Sequence, residues 1–329
     1  MRVDDVTRVA EVRRLATALA QAEGLGAQAS QEVAIIATEI ASNVLKHATA
    51  GEVHLTGLFH TGEPGVEILS IDRGPGMANW SHCVADGYST AGTSGTGLGA
   101  VSRMADVLDA HSQAGRGTVL VARKFRAPRA AERKGCWIVG AVMVPHPGET
   151  TCGDNWSIRR HHSTTSLIVA DGLGHGVLAA DASAAAVKAF HTEHQFLASH
   201  TLESVHLALR ATRGAAVAVM HIDHQSNSAR YAGLGNIVGV LLGGARPQFM
   251  VSHNGTAGLE ARRFQEFEYQ LPPEGAVVMH SDGLNTSWSV DAYPGLLRRH
   301  PSVIAGILYR DARRGHDDAC VVVGRHIQE

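Results

Sequence analysis

The segment "RGHDDACVVV", residues 314–323, decides how the second half of this chain is interpreted. Two adjacent carboxylates, Asp317 and Asp318, stand at the start of an apolar run that predicts a buried strand. Carboxylates repel each other and lose hydration when they approach a hydrophobic core. A divalent cation is the usual group that holds such a pair, so the segment raises the question of a metal site.

Two further predicted strands end in the same way, in "LIVADGLGHG" (167–176) and "VVMHSDGLN" (277–285). Each delivers an aspartate, Asp171 or Asp282, followed by a glycine that permits a sharp turn. Together with Asp317, and with Asp154 of "CGDNW", these carboxylates could converge on Mg²⁺ or Mn²⁺, which prefer oxygen ligands. The alternative is that each Asp-Gly pair simply marks a turn.

The composition describes ordinary globular material. The chain has 329 residues, of which 44% are hydrophobic and 18% charged, enough for two cores. Its net charge of −2 and its 5% aromatic content argue against nucleic-acid and anionic-membrane partners. The four cysteines form no CxxC pair, and the first 20 residues lack an apolar signal core, so we expect a cytoplasmic protein with reduced thiols.

Periodicity predicts an α/β module followed by a strand-rich module. Helices are expected over 6–22 and from Ser30, as an N-cap, to Ala48, and strands over "EVHLTGLFH" and "GVEILSIDRG". A short basic stretch with a proline, 126–135, is typical of a linker. We therefore expect one domain over 1–126, a linker over 127–135 and a second domain over 136–329.

The first module carries two glycine-rich turns, "DRGPGM" (72–77) and "GTSGTGLGA" (92–100). Such turns let backbone N–H groups face phosphates, and a following helix presents its positive end. On the helix upstream, Glu39 and Asn43 are four residues apart and share one face. Alone, this pair could be a polar stripe on an amphipathic helix; with the two turns it indicates a nucleotide site.

Taken in order, these motifs over residues 6–126 resemble the GHKL (Bergerat) ATP-binding fold of histidine kinases, gyrases and Hsp90. "GYSTAGTSGTGLGAVSRMADVLDAHSQAGRGT" (87–118) is similar to the RsbT-like anti-sigma serine kinases. The resemblance implies that Glu39 is the general base and that Asn43 coordinates Mg²⁺ beside the phosphates of ATP. It implies further ATP-binding positions at Asp72, which would receive the adenine amino group, and at Gly74, Gly76, Gly95, Gly97, Gly99 and Thr118. Lys46 and His47 could assist or be solvated, and "GYST" (87–90) could be a lid or a turn cap.

Residues 135–327 resemble the metal-dependent PPM-type serine/threonine phosphatases of the RsbX/SpoIIE branch, with "WIVGAVMVPHPGETTCGDNW" (137–156) as the most similar stretch. The resemblance implies two Mn²⁺ or Mg²⁺ ions. Asp171 would bridge them and the Gly172 carbonyl would join one. Asp282 and Asp317 would hold the other, and Asp154 would contribute directly or through water.

The second domain departs from the family in one respect, because "GDNWSIRR" lacks the further acidic residue that larger relatives carry. A second ion would therefore be held less securely. Asp318 would support Asp317, and His175 and His316 are either ligands or loop residues. The expected fold is α+β: a GHKL α/β sandwich, then a PPM-type β-sandwich flanked by helices.

The two resemblances together imply a bifunctional partner-switching regulator. Its first domain would phosphorylate, and its second dephosphorylate, a STAS-domain anti-anti-sigma or stressosome protein. Two alternatives stay open: a phosphatase whose ATP-binding domain only senses nucleotide or docks a partner, and an anti-sigma module that sequesters a sigma factor. The kinase relatives also commonly form homodimers.

Overall fold

The computed structural model describes residues 1–48, 50–58, 64–77, 80, 97–127, 137–193 and 197–327. Contacts divide the chain into two compact units. The first comprises residues 1–133 and 290–310, and the second comprises residues 134–289 and 311–329. The predicted boundary places all of 136–329 in the second domain, whereas residues 290–310 group with the first unit. Composition is a local signal, and it cannot register a segment that returns to an earlier unit.

The first unit is a helix-covered antiparallel sheet. Its elements up to residue 125 are α1 (Val6–Ala22), α2 (Ala27–His47), β1 (Gly51–Gly57), β2 (Gly65–Asp72), α3 (Gly97–Met104), β3 (Val107–Gln113) and β4 (Gly117–Phe125). The strand order is β1-β2-β4-β3. The core of this unit contains Val12, Ile36, Ile40, Ile68 and Leu120, so α1 and α2 pack on one face of the sheet.

The helix prediction over 6–22 is confirmed, and α1 begins after Asp5, whose side chain accepts a hydrogen bond from the Arg8 N–H at 3.0 Å. The prediction that Ser30 caps the second helix is wrong. Helix α2 starts three residues earlier, after Gly26, and the Ser30 hydroxyl is buried and donates to the Leu25 carbonyl. Ala27 and Gln28 are good helix formers and extend the helix past the candidate cap.

The second unit consists of two sheets with helices. Its elements are β5 (Trp137–Val144), β6 (Asp154–His161), β7 (Thr164–Gly172), α4 (Val177–Thr192), α5 (Ala198–Ala208), β8 (Ala215–Asp223), β9 (Ser228–Leu234), β10 (Val238–Leu242), β11 (Gln248–Phe249), β12 (Ser252–His253), β13 (Phe267–Gln270), β14 (Ala276–His280) and β15 (Ala319–His326). The last helix, α6 (Pro301–Ala312), begins within the segment that belongs to the first unit.

One sheet has the order β11-β10-β14-β15-β5, and the other has the order β12-β9-β8-β7-β6 with β13 paired to β9. A core that includes Trp137, Leu167, Met220 and Val322 draws on strands of both sheets, as expected for a β-sandwich. A second core, with Phe190 and Leu202, lies between α4, α5 and the second sheet. The predicted α+β fold, a GHKL-type domain and then a helix-flanked β-sandwich, is confirmed.

Several predictions fall on residues outside the described ranges. These are Gly95, the segment 87–90, residues 128–135 of the linker, Cys83 and Cys136. Among the helices that are described, none is long and apolar enough to cross a membrane.

Candidate functional site

Strand pairing brings two of the predicted metal ligands together. Asp154 opens β6 and lies opposite Asp171 near the end of β7, in an antiparallel pair. Gly172 follows directly, and its N–H donates to the Gly153 carbonyl at 3.2 Å. The end of this hairpin therefore presents two carboxylates and a glycine carbonyl in one place.

The other sheet contributes the remaining carboxylates. Asp282 follows β14, and Asp317 precedes β15, its partner strand. The Ser281 hydroxyl joins the two sheets, because it donates to Asp154 Oδ2 at 2.6 Å and accepts from the Cys320 N–H at 3.0 Å. The four predicted aspartates are thus held at one end of the sandwich.

Burial and mutual repulsion act strongly on these acids. Burial, as the largest cause, and the charges of Asp154, Asp282 and Asp317 together raise the pKa of Asp171 to about 9. Burial also raises the pKa of Asp154 to about 7, against the hydrogen bond from Ser281. The pKa of Asp282 is raised by burial and by Asp317. The charge of Arg314 offsets only part of this rise at Asp282, so the cluster as a whole is short of positive charge.

Two buried carboxylate oxygens support the same conclusion. Asp154 Oδ1 and Asp318 Oδ2 are buried without a hydrogen-bond partner among the described residues. The other oxygen of Asp318 accepts from the His146 N–H at 2.8 Å, and its own N–H donates to Asp317 Oδ1 at 2.9 Å. Unpartnered buried carboxylate oxygens are costly, so these residues fit a hard divalent cation. Within the described ranges, no three acidic, His or Cys side chains are already spaced as a finished metal site.

A cavity of about 510 Å³ opens onto these acids. Asp171, Asp282 and Asp317 line one part of it, and Asn254 and Thr256 line another. The cavity has room for a phosphorylated side chain beside the carboxylates. Its lining of acids and neutral polar groups suits an anionic ligand only when bound cations offset the negative charge of the carboxylates.

The two histidines considered as ligands contact other groups. His175 Nδ1 lies 2.9 Å from Glu149 Oε1, and its ring stacks on His146 with 4.5 Å between centroids. His316 is exposed, and its Nδ1 lies 3.1 Å from the Arg314 carbonyl. Both arrangements favour the loop role over ligation.

In the first unit, the predicted adenine-binding residue is built into a tight turn. Asp72 Oδ1 accepts from the Gly74 N–H at 2.7 Å and from the Thr118 N–H at 3.2 Å. The Thr118 hydroxyl lies 2.8 Å from Ser112 Oγ, which also accepts from the Met77 N–H. Burial raises the pKa of Asp72. Both of the bonds to Asp72 use Oδ1, so within the described part of the chain Oδ2 remains as an acceptor for an exocyclic amino group.

Glycines let the backbone close around Asp72. Gly76 and Gly117 both have positive φ, at 74° and 82°. A Cβ at Gly117 would collide with the Asp72 carbonyl, and one at Gly76 would collide with the Gln113 carbonyl. A side chain at either position would therefore open the turn.

The predicted catalytic face lies against the start of α3. A Cβ at Gly97 would be 2.7 Å from Glu39 Oε2, so the glycine allows the carboxylate to approach the helix N-terminus. Asn43, one turn along α2, is half-buried, and Gly99 is buried within α3. Glu39 thus lies beside Gly97 at the N-terminus of α3: the helix N-terminus suits a phosphate group, and the carboxylate suits a proton acceptor next to it.

Three residues near these sites were missed by the sequence analysis. Ser281 bridges the sheets, and Asn236 donates through Nδ2 to Asp282 Oδ2 at 2.8 Å. Arg310 donates to the Asp72 carbonyl at 3.3 Å. Ser281 could have been found, because it precedes Asp282 directly. The other two lie far from their partners in the chain and carry no local signal.

Comparison with known proteins identifies both parts of the chain. Residues 3–124 match the family model of the histidine kinase-like ATPase domain. Residues 161–326, half of the chain, match the family model of stage II sporulation protein E, SpoIIE.

Two characterised proteins of Bacillus subtilis (strain 168) are similar to the two parts. Serine/threonine-protein kinase RsbT is 30% identical over 117 residues, which are 36% of this chain and 88% of RsbT. Phosphoserine phosphatase RsbX is 24% identical over 139 residues, which are 42% of this chain and 70% of RsbX.

Solved structures show the same fold. A chain from work on the bacterial stressosome, described as a modular system adapted to control secondary messenger signaling, superposes with a TM-score of 0.54 and 25% identity. It covers 58% of this chain and is itself covered completely. RsbX in complex with magnesium gives a TM-score of 0.50 at 22% identity, over 59% of this chain and 96% of that chain.

Proposed function

Since this chain belongs to the SpoIIE family and carries a histidine kinase-like ATPase domain of the RsbT type, we propose that it is a bifunctional partner-switching regulator. The second unit removes phosphate from phosphoserine or phosphothreonine of a STAS-type protein. The first unit binds ATP and phosphorylates such a protein. The phosphatase half rests on one observation: buried carboxylates with orphaned oxygens converge beside a cavity.

In the phosphatase half, Asp171, the Gly172 carbonyl, Asp282 and Asp317 would hold Mn²⁺ or Mg²⁺, with Asp154 as a further ligand. Bound cations would neutralise the acids and supply an activated water for attack on phosphorus. The protein's own residues orient this set: Ser281 holds Asp154, and Asn236 holds Asp282. Asp318 fixes Asp317 through its backbone N–H.

In the ATP-binding half, Asp72 and Thr118 receive the adenine, and Gly74 and Gly76 shape the turn around it. Gly97 and Gly99, with Gly95, wrap the phosphates at the start of α3. Asn43 would hold Mg²⁺, and Glu39 would accept the proton of the attacking hydroxyl. Phosphoryl transfer needs mainly positioning and charge neutralisation, which this set supplies.

The first test is hydrolysis of p-nitrophenyl phosphate with and without Mn²⁺, by the wild type and by Asp171→Asn. We expect Mn²⁺-dependent hydrolysis that falls at least about 100-fold in the variant, because a central ligand is lost. Asp181→Asn, an exposed position on α4, is the matched control and should retain activity. Hydrolysis that persists in Asp171→Asn would refute the carboxylate site.

The kinase half is tested separately, by transfer of labelled phosphate from ATP to a purified STAS protein. Glu39→Gln should abolish transfer and leave ATP binding intact, because the residue acts on the attacking hydroxyl. ATP binding with no transfer by the wild type would instead support the second candidate, a nucleotide sensor. That candidate is favoured by residues 290–310, which belong to the ATP-binding unit although they lie between the two phosphatase motifs at Asp282 and Asp317 in the sequence.

A further inference from the structure

Residues 290–310 cover one face of the sheet of the first unit. They belong to that unit although they lie between β14 and β15 in the sequence. The His111 Nε2 lies 3.2 Å from the Pro294 carbonyl, and Asp109 accepts from the His300 N–H at 2.6 Å and from Arg299 at 3.2 Å. The segment is therefore bonded to β3 over residues 294–300.

A buried ion pair is closed by the same segment. Arg123 on β4 contacts Glu67 on β2 at 2.7 Å, and both side chains are almost fully buried. Ser302 at the start of α6 donates to Glu67 Oε2 at 2.5 Å and accepts from Arg123 at 3.1 Å. A charge pair is buried at acceptable cost only when its remaining hydrogen bonds are made, and Ser302 supplies one to each partner.

Apolar contacts cover the rest of the sheet face that carries Glu67 and Arg123, the face opposite α1 and α2. Leu69, Ile71, Val119 and Val121 are buried, yet they are not part of the core beneath α1 and α2. A Cβ at Gly306 would lie 2.7 Å from Val119 Cγ1 and 3.5 Å from Ile71 Cδ1. Helix α6 thus approaches the sheet through a glycine and seals its second face.

The segment ends at the nucleotide site. Arg310 donates to the Asp72 carbonyl at 3.3 Å, and its own carbonyl accepts from the Arg73 guanidinium. Its charge also acts on the Asp72 carboxylate. Arg310 therefore holds the strand end from which the adenine-binding carboxylate projects.

Both ends of the segment lead directly into the phosphatase motifs. The Asn285 N–H donates to the Ala312 carbonyl at 2.9 Å, and the Arg314 N–H donates to the Gly283 carbonyl at 2.8 Å. These two bonds tie the outgoing and returning chains together within five residues of Asp282 and Asp317.

We propose that Arg310 is a positioning residue of the nucleotide site, and that residues 290–310 couple nucleotide binding at Asp72 to the stability of the Asp282–Asp317 region. This inference rests on the proposed function of both sites. Nucleotide that binds at Asp72 stabilises the conformation in which Arg310 holds the strand end. The segment then opens less often, and so do the two backbone bonds at its base.

The first measurement is the affinity of a fluorescent ADP analogue with Mg²⁺ for the full-length chain. Arg310→Gln should weaken binding about tenfold, because a charged hydrogen bond that places Asp72 is lost. Arg310→Lys keeps the charge and should recover much of the affinity. Arg14→Gln, at an exposed site on α1, is the matched control and should bind like the wild type. Equal affinity in all four proteins overturns the positioning role.

The second measurement is amide hydrogen exchange with and without ADP, at the same Mg²⁺ concentration in both samples, so that only the nucleotide differs between them. In the wild type, ADP should slow exchange at Asn285 and Arg314 at least about threefold. In Arg310→Gln saturated with ADP, this change should disappear. Protection confined to residues 39–118 would overturn the coupling.

The outcomes separate this inference from the proposed function. If the wild type does not bind the ADP analogue, the ATP-binding proposal itself fails. If it binds and Arg310→Gln binds equally well, only the positioning role fails. Circular dichroism of each variant distinguishes loss of affinity from loss of fold, and Arg310→Lys supplies a folded comparison.

Discussion

At the scale of the residue, Asp171 has two opposed effects: it is proposed to bind metal, and it destabilises the metal-free fold. Its carboxylate is the central predicted metal ligand, and it is also the acid whose pKa burial raises to about 9. Asp171→Asn should therefore stabilise the metal-free chain by about 2 kcal/mol at pH 7 while it removes Mn²⁺-dependent activity, because folding no longer requires a carboxyl that is ionised in the unfolded chain to take up a proton. Urea unfolding in EDTA measures the first effect. Asp181→Asn should change stability by less than about 0.5 kcal/mol, and a destabilised Asp171→Asn would contradict the prediction.

His221 should make folding sensitive to mild acid. Burial lowers its pKa to about 4, helped by Arg159 and Arg230. Its Nδ1 lies 2.6 Å from Ser166 Oγ. Between pH 6.5 and 4 the unfolded chain binds a proton that the folded chain does not, so stability falls as pH falls. Between pH 7 and 5 this group should cost about 2 kcal/mol.

The check is the urea midpoint at pH 7 and pH 5. His221→Gln should flatten the difference between the two midpoints. His162→Asn, an exposed residue with positive φ that asparagine tolerates, should leave the difference unchanged. An unaltered difference in His221→Gln would show that other groups carry the acid sensitivity.

Single residues were predictable where chemistry and chain position coincide. Asp171 and Asp282 stand at strand ends before glycine, and this pattern was sufficient to propose them as metal ligands. Asn236 could not be found, because its partner Asp282 lies 46 residues away and neither neighbour of Asn236 is informative. Long-range hydrogen bonds leave no trace in local composition.

At the scale of the element, the contact between β7 and α4 should be sensitive to one methyl group. A Cβ at Gly172 would lie 2.6 Å from the carbonyl carbon of Ala179. Gly172→Ala should therefore cost about 1–3 kcal/mol through overpacking, and it should displace the carbonyl that is proposed to join a metal. Thermal unfolding and a Mn²⁺ titration of activity measure the two effects.

A suitable control for that change is Gly244→Ala, because a Cβ there would make only an ordinary contact, 3.7 Å from the Arg246 carbonyl. It should leave both properties near the wild-type values. A Gly172→Ala variant as stable and active as Gly244→Ala would exclude a tight contact at this position.

Elements with strong periodicity were predicted well, and their ends less well. Helix α1 was placed correctly because its apolar residues recur at helical spacing, and the structure adds the Asp5 cap, which the prediction did not use. Helix α2 was started too late, since Ser30 satisfies the pattern of a cap while its hydroxyl is bonded to Leu25. In β2, the apolar positions "VEILSI" fall on both faces, and this was the one available sign that a second layer covers the sheet.

At the scale of the whole molecule, a chain that ends at residue 133 should expose apolar surface and self-associate. It lacks residues 290–310, so Leu69, Ile71, Val119 and the Glu67–Arg123 pair lose their cover. We expect binding of an environment-sensitive dye and association in gel filtration, because a large exposed apolar patch promotes both.

The matched control joins residues 290–310 to the cut chain through a glycine-serine linker. It should reduce dye binding and restore a single species. If the chain that ends at 133 is already monomeric and binds no dye, the segment is not needed to complete the first unit.

The fold class and the order of the two modules were predictable, because each module carries its own ordered motifs. The return of residues 290–310 was not, because these residues resemble any helix of a β-sandwich and only contacts reveal their unit. A division of the chain by sequence alone therefore separates residues 290–310 from the unit to which they belong.

This discontinuity also delays completion of the first unit during synthesis. At about 5–20 residues per second, the ribosome needs roughly 10–35 s to pass from residue 133 to residue 310. During that interval the first sheet is complete in sequence but lacks the layer that closes it. The nascent chain therefore carries an open apolar face through most of its translation, which makes it a natural client of ribosome-associated chaperones.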